Sequence, residues 1–150
     1  MSTLFPNDWF GITFRLCLAL LIGALIGFER QLSHKPAGLR THMLVCFGSA
    51  IFVLVPLLIA TTQESREAAV SRVIQGITAG VGFIGAGEIL RASQEEAKQI
   101  QIQGLTSAAA IWVSAALGIA AGCGLWQLGL IGAVLSLFVL SVFRKLEKRI

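Results

Sequence analysis

Few side chains in this 150-residue chain are equipped for chemistry, and they are thinly spread. His34 and His42 are the two histidines, and both lie beside apolar runs rather than deep within them. Cys17, Cys46 and Cys123 are the three cysteines. The first two fall inside apolar runs, so a disulfide framework is not expected. Cys46 follows His42 by one helical turn, which permits a thiol–imidazole contact. A cysteine buried in apolar surroundings is nevertheless ordinarily inert. There is no HExxH, GxSxG or Walker pattern. We therefore expect no catalytic residues, no metal-ligand set, no cofactor and no enzymatic activity. A magnesium pathway needs several oxygen ligands in near-octahedral array, and a pore needs acidic rings or interrupted helices at mid-membrane. Glu29 and Glu88 are the carboxylates in or beside apolar runs, and both sit near one interface, while Asp8, Glu64 and Glu67 belong to outer segments. A homo-oligomer would multiply them, and a break at Gly80-Val81-Gly82 would open helix 3, so a small ion channel or transporter is the alternative reading.

The elements that must position these groups follow from composition. Hydrophobic residues make up 55% and charged residues 13%, against about 25% charged in soluble domains. The mean hydropathy is +0.80. A soluble domain of this length buries only about 70% of its unfolded surface and could not hide so much apolar area. An all-α, multi-pass membrane bundle remains. A spanning helix needs about 20 mostly apolar residues, and five runs qualify: 9–28, 43–60, 73–90, 105–121 and 125–143. The last two are parted by Gly122-Cys123-Gly124, which we read as the turn of a helical hairpin. The whole chain forms one membrane domain, with a basic tail over 144–150 that can rest on anionic lipid at about 1 kcal/mol per residue.

Lysine and arginine set the orientation. Nine lie in the loop 1–2, the loop 3–4 and the tail, against Arg66 and Arg72 on the other side, with Arg15 inside helix 1. The N-terminus is expected outside and the C-terminus in the cytoplasm, with Trp9 and Trp126 at the outer interface. Nucleic-acid binding is not expected, because the basic residues are split among loops without an aromatic platform. Small residues recur at helical spacing: Gly23 and Gly27 in helix 1, Gly76, Gly80 and Gly87 on one face of helix 3, Gly82 and Gly85 on its other face, and Ser114 and Gly118 in helix 4. Such faces let helices approach closely in lipid. They predict a central helix 3, with the Gly76/Gly80/Gly87 face in close helix contact. They serve ordinary packing or the docking of another membrane protein.

Polar residues gather at the expected cytoplasmic interface: Glu29 and Arg30 end helix 1, Arg40, Thr41 and His42 lead into helix 2, and Glu88 and Arg91 close helix 3. Thr41 is placed to cap helix 2. Arg40 sits at a helix N-terminus, where the dipole disfavours a cation, so it is expected to pair with Glu29, Glu88 or an outside anion.

At these residues the chain resembles the MgtC/SapB family. Gly27-Phe28-Glu29-Arg30, Ala37-Gly38-Leu39-Arg40-Thr41-His42, Gly82-Phe83-Ile84-Gly85-Ala86-Gly87 and Gly104-Leu105-Thr106-Ser107-Ala108-Ala109 carry the likeness, extended by Ile111-Trp112-Val113 and Ala116-Leu117-Gly118. The resemblance implies a bacterial inner-membrane protein active in magnesium homeostasis and growth at low magnesium. It implies a regulator acting on membrane-protein partners, with the F-type ATP synthase among them. Longer family members continue into a C-terminal soluble domain, so this chain reads as a short form. Glu88 stands where the family usually has an apolar or small residue.

Overall fold

Apolar runs of this length become helices because a bilayer interior offers no partner for an unpaired backbone group. The computed structural model describes residues 8–95 and 104–143, with side chains described for 8–90 and 104–143. Among these residues five helices follow one another: α1 Trp9–Leu32, α2 Leu39–Ile59, α3 Gln63–Glu95, α4 Leu105–Gly122 and α5 Trp126–Phe138, the last continued by a π-helical segment Val139–Phe143. All five elements, with α5 and its continuation taken together, are long and apolar enough to cross a membrane. The protein is a multi-pass, all-α membrane protein. The basic tail and the 3–4 loop basic residue Lys98 lie outside the described residues, as does the Arg91 side chain.

Three helices outrun the apolar stretches that announce them. α1 continues through Glu29-Arg30-Gln31-Leu32, and α3 begins ten residues early at Gln63. Gln, Glu, Arg and Ala are good helix formers in water, so hydrogen bonding does not stop where hydropathy does. α2 begins at Leu39 with Gly38 as its N-cap. Thr41 is therefore inside the first turn and caps nothing; instead the Gln31 side-chain oxygen accepts from the Leu39 amide at 3.3 Å. Gly124, at φ +79°, makes the tight turn between α4 and α5.

The centre of the bundle is α4, not α3. In α4, 56% of the spanning window is buried, against 11% in α3. α4 packs against α1, α2, α3 and α5. Its seven alanines and two glycines leave it slim on every side, and a slim helix admits four neighbours at close range. Two apolar clusters flank it. One joins Ile22 and Ile26 of α1 with Cys46 and Ala50 of α2 and Ala121 of α4. The other joins Val53 of α2 with Ile77 and Val81 of α3 and Ile111 of α4.

Candidate functional site

A seam of backbone contacts between α1, α2 and α4 creates the setting for the buried polar groups. A Cβ added at Gly23 would stand 2.6 Å from the His42 carbonyl oxygen, and one at Gly27 would stand 2.7 Å from the Leu39 Cα. α1 and α2 therefore meet backbone to backbone. From α4, Gly118 lies directly against the Cys46 carbonyl, and a Cβ at Gly122 would stand 2.8 Å from the Ala50 carbonyl oxygen. His42, Cys46 and Ala50 recur every fourth residue, so one stripe of α2 is held between two glycine faces. Such proximity leaves no space for water along the seam.

Polar side chains close the same seam. Arg30 is 1% exposed. Its Nη2 donates to the Ser107 Oγ of α4 at 3.2 Å, and its Nη1 stands 3.7 Å from the Glu29 Oε2. The Ser33 hydroxyl donates to Glu29 Oε1 at 2.7 Å. One stretch further along α4, the Ser114 Oγ and the His42 Nδ1 share a hydrogen bond of 2.9 Å, with the donor set by the imidazole tautomer. His42 is fully buried, and its Nε2 has no hydrogen-bond partner. Ser107 and Ser114 are seven residues apart, hence on one face of α4. A buried guanidinium without partners is costly, and removing one member of a buried ionic pair typically costs about 3–5 kcal/mol. Glu29, Ser107 and the closing of α1 on α4 are thus mutually dependent.

A second buried arginine works at the other end. Arg15 of α1 donates from Nη1 to the Gly122 carbonyl at 2.8 Å, which places a cation at the C-terminus of α4, where the helix dipole favours one. Its guanidinium lies where a Gly124 side chain would be, 2.6 Å from the ideal Cβ. Burial pushes the neighbouring Cys123 thiol up from its ordinary range, and the Arg15 charge offsets part of that rise. From sequence, Arg15 registered only as an isolated charge. Its partner is a backbone carbonyl 107 residues away, and no local pattern marks such an acceptor.

The sequence-selected residues divide into two groups. Glu29, Arg30 and His42 come together with Gly23, Gly27, Ser114 and Gly118. Arg40 does not join them. It is exposed, because two residues from the inward-facing His42 is about 200° around the helix. Thr41 is half-buried beside it. Glu88 is half-buried on the α3 face that carries Ile77 and Val81, with Oε1 covered and without a hydrogen bond. The expected intramolecular pairing of Arg40 with Glu29 or Glu88 is not formed; the ion pair present among the described residues is Glu29 with Arg30. Of the glycines in α3, Gly85 faces Ala108, whose Cβ would stand 3.3 Å from a Cβ added at Gly85, whereas Gly76, Gly80, Gly82 and Gly87 face open space. The close contact expected at Gly76/Gly80/Gly87 is absent within the chain, because α3 leans on α4 through Gly85 and Val81. Gly76 and Gly80 instead line an apolar groove of about 640 Å³ between α2 and α3. Among the described residues no three His, Cys, Asp or Glu side chains converge as a metal set requires.

Comparison with known proteins matches residues 16–149 to the MgtC family. Protein SrpB of Synechococcus elongatus is 51% identical over 147 residues, covering 95% of this chain and 80% of that protein. The Escherichia coli protein named putative magnesium transporter YhiD is 44% identical over 91% of this chain and 62% of its own length. Protein MgtC of Salmonella typhimurium is 36% identical over 90% of this chain. The chain spans 53% of that MgtC and 51% of the Brucella abortus one. No solved structure matches.

Proposed function

The chain belongs to the MgtC family, and on that premise we propose that it is a non-enzymatic regulator of adaptation to low magnesium that works by contact with other membrane proteins. The observation that carries this reading is the seam. Arg30, Ser107, His42 and Ser114 are spent on holding α1, α2 and α4 together, and the glycine contacts bring those backbones into touch. A conduit would instead turn polar groups toward a continuous path. The grooves between helices are apolar and open outward, as surfaces that receive lipid or another helix are. The distribution of lysine and arginine supports placing the Arg30 end in the cytoplasm of a bacterial cell and the chain in its inner membrane. The F-type ATP synthase is the partner that the family resemblance favours.

The test is paired. ATP-driven proton pumping is measured in inverted membrane vesicles with and without the protein, and magnesium entry is measured in liposomes holding the purified protein. Inhibited pumping without magnesium entry is expected. Magnesium entry that depends on Glu29 or Glu88 would establish the second reading, a small magnesium transporter, which the name of the Escherichia coli relative favours.

A further inference from the structure

We infer that the α2–α3 groove is the seat of a second copy of this chain, in a two-fold dimer with its axis along the membrane normal. The inference does not depend on the regulator reading. It begins with a surface that is complementary to itself. Gly76, Gly80 and Gly87 share one face of α3 with Phe83, which is 84% exposed. That face carries a projecting ring between glycines, and beside it runs the groove of about 640 Å³, floored by Gly48 and bordered by Leu44, Gly80 and Ile84. Nothing lies within 4 Å of a Cβ built at Gly48, Gly76, Gly80 or Gly87. Copies inserted by the same machinery share one orientation, so residues at equal depth meet across the axis. The partner's Phe83 then comes to the depth of Leu44 and Gly48. An isologous contact needs one patch holding both shape and countershape, and this face holds both.

Charge selects a second copy over lipid or an unrelated helix. One turn beyond Leu44 on the α2 rim is Arg40, and one turn beyond Ile84 on α3 is Glu88. Both lie at the same end of the bundle. Among the described residues neither side chain makes a hydrogen bond or an ion pair, and Glu88 Oε1 is covered. Opposite charges at one depth on the two rims of one groove are complementary to themselves across a parallel dyad, Arg40 of each copy meeting Glu88 of the other. An acyl chain supplies neither charge.

The contact is tested first by cross-linking. Gly80→Cys, in a chain with Cys17→Ser and Cys123→Ser, is oxidised in native membranes; the open space at Gly80 leaves the fold undisturbed. A disulfide-linked dimer should form at least about tenfold faster than with Phe138→Cys, a lipid-exposed site on α5. Equal rates at the two sites overturn the inference. The second arm separates pairing between copies from pairing within one. Glu88→Arg and Arg40→Glu chains, each carrying a different fluorophore, are reconstituted singly and mixed in liposomes. Each alone should dimerise about tenfold more weakly than the parent chain, which is about 1.4 kcal/mol, because like charges then face each other. Mixed, the two should associate as the parent does, both contacts being restored. Mixed chains that associate no better than either alone overturn the pairing, and monomers at all lipid dilutions, with the groove left to acyl chains or a foreign helix, overturn the dimer.

Discussion

Replacing Gly23 by alanine adds one methyl group at the tightest part of the seam. The new Cβ would stand 2.6 Å from the His42 carbonyl oxygen and 2.8 Å from the Met43 Cα. Ordinary contact begins at 3.4 Å, so α1 and α2 must part by about 0.8 Å, a displacement in the range where overpacking costs about 1–3 kcal/mol. α2 cannot yield freely, because the same stripe is also held in backbone contact with Gly118 and Gly122 of α4. The upper part of that range therefore applies. Alanine recovers up to about 1 kcal/mol of helix propensity over glycine, which leaves a net loss of about 2 kcal/mol, or about thirtyfold in the folding equilibrium. The matched control is Gly80→Ala, where the added methyl meets nothing within 4 Å. It should be neutral or slightly stabilising in the detergent-solubilised monomer. The assay is reversible unfolding in mixed micelles, followed by helical circular dichroism on both variants at equal dilution. Equal destabilisation by the two substitutions would refute the placement of α1 against α2, since the two glycines look alike in sequence and differ only in what faces them.

Four further outcomes follow from the same geometry. Arg30→Ala should cost about 3–5 kcal/mol in the same unfolding assay because it removes the cation from a buried ion pair, whereas Ser107→Ala should cost about 1.5–3 kcal/mol for one hydrogen bond to a charged group. Arg15→Ala should loosen the α4–α5 turn by about 1–3 kcal/mol, read as faster amide exchange at the Cys123 and Gly124 amides, and Arg15→Lys should recover only part of that loss, since an ammonium lacks the guanidinium fork. With Cys17 replaced by serine, Cys123 should react with maleimide more slowly than free glutathione at neutral pH and gain on it as pH rises, because a thiol pushed up holds less thiolate at any given pH. Reporter fusions placed after Arg72 and after Ile150 should report opposite sides of the membrane; the same side for both removes the five-span orientation.

What the sequence revealed and what it withheld divide along a physical line. Apolar length announced every helix, because the bilayer imposes it. Helix ends were less legible, since Glu29 to Leu32 continue α1 past its apolar run by packing Arg30 against α4, and Gln63 to Arg72 extend α3 in mostly exposed positions where propensity carries the helix. Small residues at four-residue spacing announced faces that can be approached, yet the pattern is identical at Gly23/Gly27, which touch α2, and at Gly76/Gly80, which touch nothing in this chain. A glycine stripe states what is permitted and not what arrives. The alanine density of α4 marks the central helix, a signal separate from the two-sided glycines of α3. In the polar cluster, Arg40 and His42 are neighbours in sequence, but about 200° of helical rotation sends one outward and the other inward. The Arg30–Ser107 and Arg15–Gly122 bonds link residues 77 and 107 positions apart, beyond the reach of any spacing argument.

The order of the helices in the chain differs from their order in space, and that has a consequence for biosynthesis. α1 and α2 are consecutive and close on each other through Gly23 and Gly27, so they can pair as soon as both have left the translocon. α3 comes next, but its larger contact is with α4, and α2 too has a large contact with α4. Until α4 is inserted, α3 therefore stands in lipid without its main neighbour, and the Cys46 stripe of α2 is covered by α1 alone. α4 must then slide between helices already in the membrane, bringing Ser107 to Arg30 and Ser114 to His42. Arg30 waits in the bilayer interface for the Ser107 hydroxyl, which is made long after its neighbour Glu29. A nascent chain stalled after α3 is thus a different object from the finished protein: it has a paired hairpin, a third helix without its main neighbour, and an Arg30 without the Ser107 hydroxyl.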